Sequence, residues 1–270
     1  MKPLEALNHG DLDEALRLAK QSVAATPGDV PARYVLAELL CFSGEFERAD
    51  AQLDAAAPLD PNHAVAVNEF RQIVRAEVAR QDFHARGRVP EFWREPDEGL
   101  RERLAAAVAL RAGDSAGAAA ALSRAEARRT PRAVRVGDDA CDDIRDGDDL
   151  LGDVLELLTQ DGRYFWAPFG AFRRLSFEPV QRARDLLFRE ARVEFIDGME
   201  GTVFIPVLYA GSAAATETDL RLGRATDWRG AEPEPIRGVG QRVLLTPERD
   251  YGVLELTTLE FADDSGGAAV

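Results

Sequence analysis

The sequence predicts a multidomain chain of the α and α+β classes, in which an N-terminal helical-repeat solenoid is followed by a mostly antiparallel, β-rich α+β domain. Three observations predict it: a series of glycine, alanine and proline landmarks that returns at a fixed offset, a run of aspartates near the middle, and a change from helical to strand periodicity beyond that run. With 270 residues, 46% of them hydrophobic and 30% charged, the chain has the length and composition of one large or two ordinary globular domains.

The repeat comes first. Gly10-Asp11, Ala15 and Pro27 return as Gly44-Glu45, Ala49 and Pro61, each 34 residues later, which is the tetratricopeptide (TPR) period. Ala37 and Ala49 are small enough to let two antiparallel helices approach, while Leu36, Leu40 and Leu53 fill the space around them. Gly44 supplies the positive φ of the inter-helix turn, and the prolines stop each second helix. A third unit is spread out: a first helix over Ala64 to Arg80, a Pro-punctuated connection with Phe92 and Trp93, a helix from about Asp97 to Arg111, and a late second-helix signature at Gly113-Asp114, Ala118, Leu122 and Pro131.

The TPR-like helical domain is thus read as residues 1–136, followed by an acidic linker over 137–149, a β-rich α+β domain over 150–262 and a flexible tail over 263–270. The linker reading rests on Asp138, Asp139, Asp142, Asp143, Asp146, Asp148 and Asp149 with Arg145 as the one basic residue among them, a run expected to repel itself into solvent. Beyond it, Leu150 to Leu158 reads as a helix. Strands are expected at Tyr164 to Pro168, Ala191 to Ile196, Thr202 to Tyr209, Arg242 to Leu245 and Gly252 to Phe261, with hairpin chemistry at Asp161-Gly162 and Asp197-Gly198.

A net charge of −15 disfavours nucleic acid and anionic membrane surfaces as partners and favours basic ones. The longest apolar runs, Ala116 to Leu122 and Val203 to Tyr209, are far short of the roughly 20 residues that cross a bilayer. No signal-peptide pattern opens the chain, and Cys41 and Cys141 are too sparse for a disulfide scaffold, so a cytoplasmic protein with free thiols is expected.

The blocks Gly162-Arg163-Tyr164-Phe165-Trp166-Ala167-Pro168-Phe169, Val203-Phe204-Ile205-Pro206-Val207-Leu208-Tyr209 and Gly238-Val239-Gly240-Gln241-Arg242, in that order behind short helical repeats, resemble the ImpE/SciE (TagJ) family. The resemblance runs from about Leu4 to Phe261. It implies a non-catalytic accessory protein of bacterial type VI secretion, whose partners are the small subunit of the contractile sheath, engaged through that subunit's N-terminal helix, and the ClpV-type AAA+ ATPase.

The residues by themselves advertise no cofactor. His9, His63, His84, Cys41 and Cys141 form no metal-ligand pair at short spacing, and no P-loop or nucleophile elbow occurs. Asp142, Asp146, Gly147 and Asp153 fit four positions of a calcium loop, but Ile144 offers no ligand at the third, so a solvated acidic segment is the favoured reading. Gly238-Val239-Gly240 reads as a glycine turn feeding a strand rather than a dinucleotide fingerprint.

Binding is expected on the inner wall of the solenoid, built from first helices of the repeats. The candidates are Tyr34, Glu38, Cys41 and Phe42, then Asn68, Gln72 and Arg75, with a basic or amphipathic helix as the occupant. In the aromatic block, strand alternation assigns Phe165 and Phe169 to the core and leaves Tyr164 and Trp166 as partner anchors. Two alternatives stay open: a general two-surface TPR scaffold for another complex, and an enzyme with its site around Glu178, Arg182 and Asp185, where an ion pair on a helix surface is the simpler account.

Overall fold

The computed structural model describes residues 1–231 and 233–262; the expected flexible tail lies outside the described residues. Seven helices come first: α1 (Pro3–Asn8), α2 (Leu12–Ala25), α3 (Val30–Phe42), α4 (Phe46–Ala56), α5 (Ala64–Arg86), α6 (Glu98–Arg111) and α7 (Ser115–Glu126). Gly10, Gly44 and Gly113 take φ of 86°, 73° and 75° in the turns of the three hairpins. Asp11 and Asp114 then cap the helices that follow, accepting from the backbone of Glu14 and Gly117. The Gly-Asp landmark is therefore a complete turn-and-cap device. Helix α5 runs six residues beyond the expected Arg80, to Arg86, and stops at Gly87 in the left-handed region.

The connection after α5 carries a short strand, β1 (Glu91–Phe92), that the sequence did not suggest. Thirteen more strands follow: β2 (Val134–Val136), β3 (Asp139–Cys141), β4 (Arg145–Asp146), β5 (Val154–Thr159), β6 (Tyr164–Pro168), β7 (Phe172–Phe177), β8 (Phe188–Phe195), β9 (Glu200–Pro206), β10 (Thr226–Arg229), β11 (Arg237–Gly240), β12 (Val243–Leu245), β13 (Asp250–Gly252) and β14 (Thr258–Phe261). A nine-stranded sheet has the order β1-β6-β5-β9-β8-β7-β14-β2-β3. All its pairings are antiparallel except β1 with β6. A hairpin of β10 and β11 and a three-stranded sheet of β13, β12 and β4 complete the architecture. The Asp-Gly turns join β5 to β6 and β8 to β9, with Gly162 and Gly198 at positive φ.

Two expectations fail here, for one reason. The segment read as a helix from Leu150 is a turn followed by β5, whose residues are buried on both faces: Leu158 packs in the core shared with the helices, and Leu155 and Leu157 in the core on the far side. An apolar run of that length looks alike as helix or as central strand. The acidic segment is likewise no exposed linker. It contains β3 and β4, and Asp146 and Asp148 are 0% and 1% exposed.

The large sheet therefore carries two cores. On one face, Leu158, Tyr164, Trp166, Phe188 and Phe204 join the buried residues of the helices in a single cluster. On the other, Phe169, Phe172, Val193, Ile205 and Leu259 pack with Leu244, Tyr251 and Val253. Among the described residues no helix is long and apolar enough to cross a membrane, and both cysteines are free and buried.

Because the helices share a core with the sheet, residues 1–136 expressed alone should not behave as a finished domain. Phe70 and Phe83 would lose Phe188, Tyr164 and Trp166 as neighbours, and each buried aromatic is worth about 1.5–3 kcal/mol. We expect this fragment to bind a hydrophobic dye and to associate in solution; a monomeric, dye-silent fragment with cooperative unfolding would contradict the shared core.

Candidate functional site

The chemistry-bearing residues gather where α5 crosses the sheet. Glu156 stands in β5 between Leu155 and Leu157, with its carboxylate on the helix side and 0% exposed. It accepts from Arg80 Nε at 2.9 Å and from the Tyr164 hydroxyl and Arg242 Nη2, and it meets His84 Nε2 at 3.1 Å. Arg80 also donates to Glu77 at 3.0 Å and to the Leu208 carbonyl at 2.9 Å. Arg242, itself fully buried, lies 3.3 Å from Asp146, whose other oxygen accepts from the Tyr209 hydroxyl at 2.8 Å. One chain of charges thus joins α5, β5, β4 and the residue just before β12.

Burial drives up the pKa of every acid here, and partners decide the outcome. For Glu156, Arg80, Arg242 and His84 overcome burial and hold its carboxyl well below the usual range. Asp146, with one arginine against burial and Asp148 nearby, is pushed up to about 7. Burial lowers His84 and raises Glu77. Glu156 is held as a structural anion, bridging two guanidinium groups that are buried in the interior.

The aspartate run is neutralised by arginines from remote parts of the chain. Arg129 reaches Asp143 at 2.8 Å, Arg103 reaches Asp153 at 2.7 Å and Arg237 reaches Asp148 at 2.8 Å. Arg145, the local arginine, binds Asp149 at 2.9 Å. The calcium-loop positions are consequently spent: Asp146 and Asp153 hold arginines, and among the described residues no group of three or more potential ligands is arranged to hold a metal ion. Gly238 and Gly240 belong to β11 rather than to a turn before the strand, and Gly238 lies flat against the Tyr209 ring, where a side chain would collide.

The inner wall of the repeats is occupied by the chain's own second half. A short 3-10 turn, Ala183–Leu186, presents Arg184, 1% exposed, against α3 and α5. Its backbone N–H donates to Glu38 at 3.2 Å, its guanidinium donates to Glu69 at 2.6 Å, and it lies 5.5 Å from the centre of the Phe70 ring. Farther along, Arg224 donates to the carbonyls of Leu7 and Asn8 at the end of α1.

The predicted groove therefore closes. Glu38 and Phe42 are buried, Tyr34 is half-buried against Phe70, and Gln72 packs at the β5–β6 turn beside Gly162. Asn68 and Arg75 remain exposed on α5. The aromatic assignment fails in its phase: Tyr164 and Trp166 are 3% and 0% exposed beneath α5, whereas Phe165 is the half-buried one, on the opposite face with Arg163 over its ring. Alternation set which residues share a face, but the helices resting on that face decided which were covered. Phe169 is buried in the far core, as expected. Glu178 lies in the loop after β7 rather than on a helix, and Arg182 immediately precedes the 3-10 turn that contains Asp185, which accepts from the backbone of Gln181 and Arg182.

The residues that sequence reasoning missed are Arg80, Glu156, Arg242 and Arg184. A signal existed for Glu156: a carboxylate inside an otherwise apolar strand-length run has to be paired. The arginines carried no local mark.

A TPR-fronted helical layer sealed onto a mixed sheet defines this chain as a helical-repeat protein with its repeats built into a second module. The family model described as ImpE protein matches residues 138–260, and one described as tetratricopeptide repeat matches residues 6–69. The chain is 30% identical over 259 residues, covering 95% of itself and 90% of the relative, to the type VI secretion system accessory component TagJ of Pseudomonas aeruginosa. The crystal structure of protein VPA1032 from Vibrio parahaemolyticus superposes with a TM-score of 0.89 at 27% identity, covering 97% of this chain and 98% of that one. The chain belongs to the ImpE (TagJ) family.

Two outcomes test the network. Glu156→Gln removes the one carboxylate that Arg80 and Arg242 share, leaving only the carboxylates of Glu77 and Asp146 beside them, and should cost about 3–5 kcal/mol in urea unfolding. Glu38 ionises near ~4.3 when unfolded, but burial, with Asp185 nearby and only partly offset by Arg184, pushes it up to about 7. Its contribution to stability is therefore present in full below ~4.3 and is lost as the pH rises through about 7. Unfolding midpoints between pH 5 and 8 should fall less steeply in Glu38→Gln than in the parent chain; identical slopes would show that Glu38 does not titrate in this window.

Proposed function

We propose that this chain is a non-catalytic adaptor of type VI secretion that binds the sheath small subunit through that subunit's N-terminal helix and brings it to the ClpV-type AAA+ ATPase. The observation that carries the reading is that the likeness to the TagJ relative spans the helical repeats and the sheet module together, 95% of the chain. Two features of the molecule support it. The buried charges are committed to one another across the interface, which suits a rigid platform better than a reacting site. The net charge of −15 favours a partner segment rich in lysine or arginine. With the inner wall filled, partners meet the outer faces and the clefts at the seam of the two layers.

Titrating a peptide of the sheath small subunit's N-terminal helix into the full chain by calorimetry tests the reading. Binding should weaken by about tenfold or more when salt is raised from low to several-fold above physiological strength. A chain that captures neither the sheath subunit nor the ATPase overturns it.

A further inference from the structure

Beside the buried network, and lined in part by its Glu77 and Arg80, lies a cleft of about 450 Å³. Helices α4 and α5, with the α3–α4 turn, form one wall, and residues 208–214 form the other. Phe46, Val78, Ala85, Leu208 and Ala213 give it apolar surface, and its acids are Glu47, Glu77 and Asp82.

The two arginines that line it are already engaged. Arg80 is spent on Glu156, Glu77 and the Leu208 carbonyl, and Arg86 holds Asp82 at 2.5 Å. Glu77 is not fully engaged. It is 3% exposed; one oxygen accepts from Arg80 at 3.0 Å and from Gln81 at 2.6 Å, while Oε2 is buried with no hydrogen-bond partner. Glu77 lines the cleft, and a buried carboxylate oxygen without a partner costs free energy that a donor entering beside it would recover.

We propose that this cleft receives a lysine or arginine side chain carried on an apolar segment of a partner protein, its cation donating to Glu77 Oε2 while the segment's apolar residues cover Phe46, Val78 and Ala85. This rests on the adaptor reading and names the place where the partner docks. Charge complementarity selects the occupant: the lining carries three acids against two arginines, one of which is shared with Glu156, in a chain of net charge −15, so an anionic segment would be repelled and a purely apolar one would leave Glu77 unanswered.

The test uses the full chain and hexylammonium chloride as the probe, followed by methyl NMR. Hexylammonium should shift the methyl signals of Val78, Leu208 and Ala213, while hexanol and hexanoate leave them in place. In Glu77→Gln the affinity for hexylammonium should drop by about tenfold or more. Failure of the parent chain to respond, or an equal response in a folded Glu77→Gln chain, overturns the proposal. Ala85 is exposed at the mouth of the cleft, so Ala85→Trp closes the entrance without touching the core and should abolish the response; an unchanged response overturns the proposal as well. The sheath-subunit peptide supplies the last arm. If it binds the parent chain and Ala85→Trp equally well, the cleft is not the dock and this proposal falls alone. If it binds neither while hexylammonium still enters the cleft, the adaptor reading falls and the cation site stands.

Discussion

The structure depends on the cover that the sheet gives to the inner face of the helices, and on the buried carboxylate of Glu156 that pins the two layers together. A TPR hairpin is apolar on more than one side, because each repeat expects a neighbour. Here the array is short, and its inner wall is closed by Arg184, Phe188, Tyr164 and Trp166 from the second half of the chain. Apolar contact supplies most of the driving force but is indifferent to register. Glu156, reached by Arg80 from α5 and by Arg242 just before β12, supplies the register, since any slip would strand charges in the interior.

The aspartate segment plays the same part at the seam. Its aspartates would repel one another if left to themselves; folded, Asp143, Asp146, Asp148 and Asp149 each meet an arginine. Asp148 and Asp149 also accept backbone N–H groups, from Gly238 and Ile236, so the segment is stitched to β11 and the residue before it as well as to the loop after α7 and the residue before β12. What looks like a hinge in the sequence is a segment tied down on several sides.

This architecture bears on how an adaptor of this family works. A repeat array with a free groove binds by accommodating a segment along its whole inner wall; one whose groove is filled by its own chain presents instead a rigid outer surface and the clefts left where the layers meet. The cleft beside Glu77 is such a place. It is bounded by both halves, so its shape exists only when the helices and the sheet are docked, and a partner bound there would reinforce the docking it reads.

The sequence alone determined the local devices: the 34-residue repeat with its Gly-Asp turns and caps, the Asp-Gly hairpins, strand β6 to the residue, and the family, through three ordered blocks. Those signals are legible because each acts within a few residues, where φ, capping and periodicity leave a direct mark on residue type. Tertiary structure decided the rest. It chose strand over helix for Val154 to Leu158, turned Tyr164 and Trp166 inward, closed the groove over Glu38 and Phe42, and matched aspartates of the central run to arginines as distant in sequence as Arg242 is from Asp146. Charge pairing and burial are settled by what arrives from elsewhere in the chain, and linear spacing holds no record of that arrival.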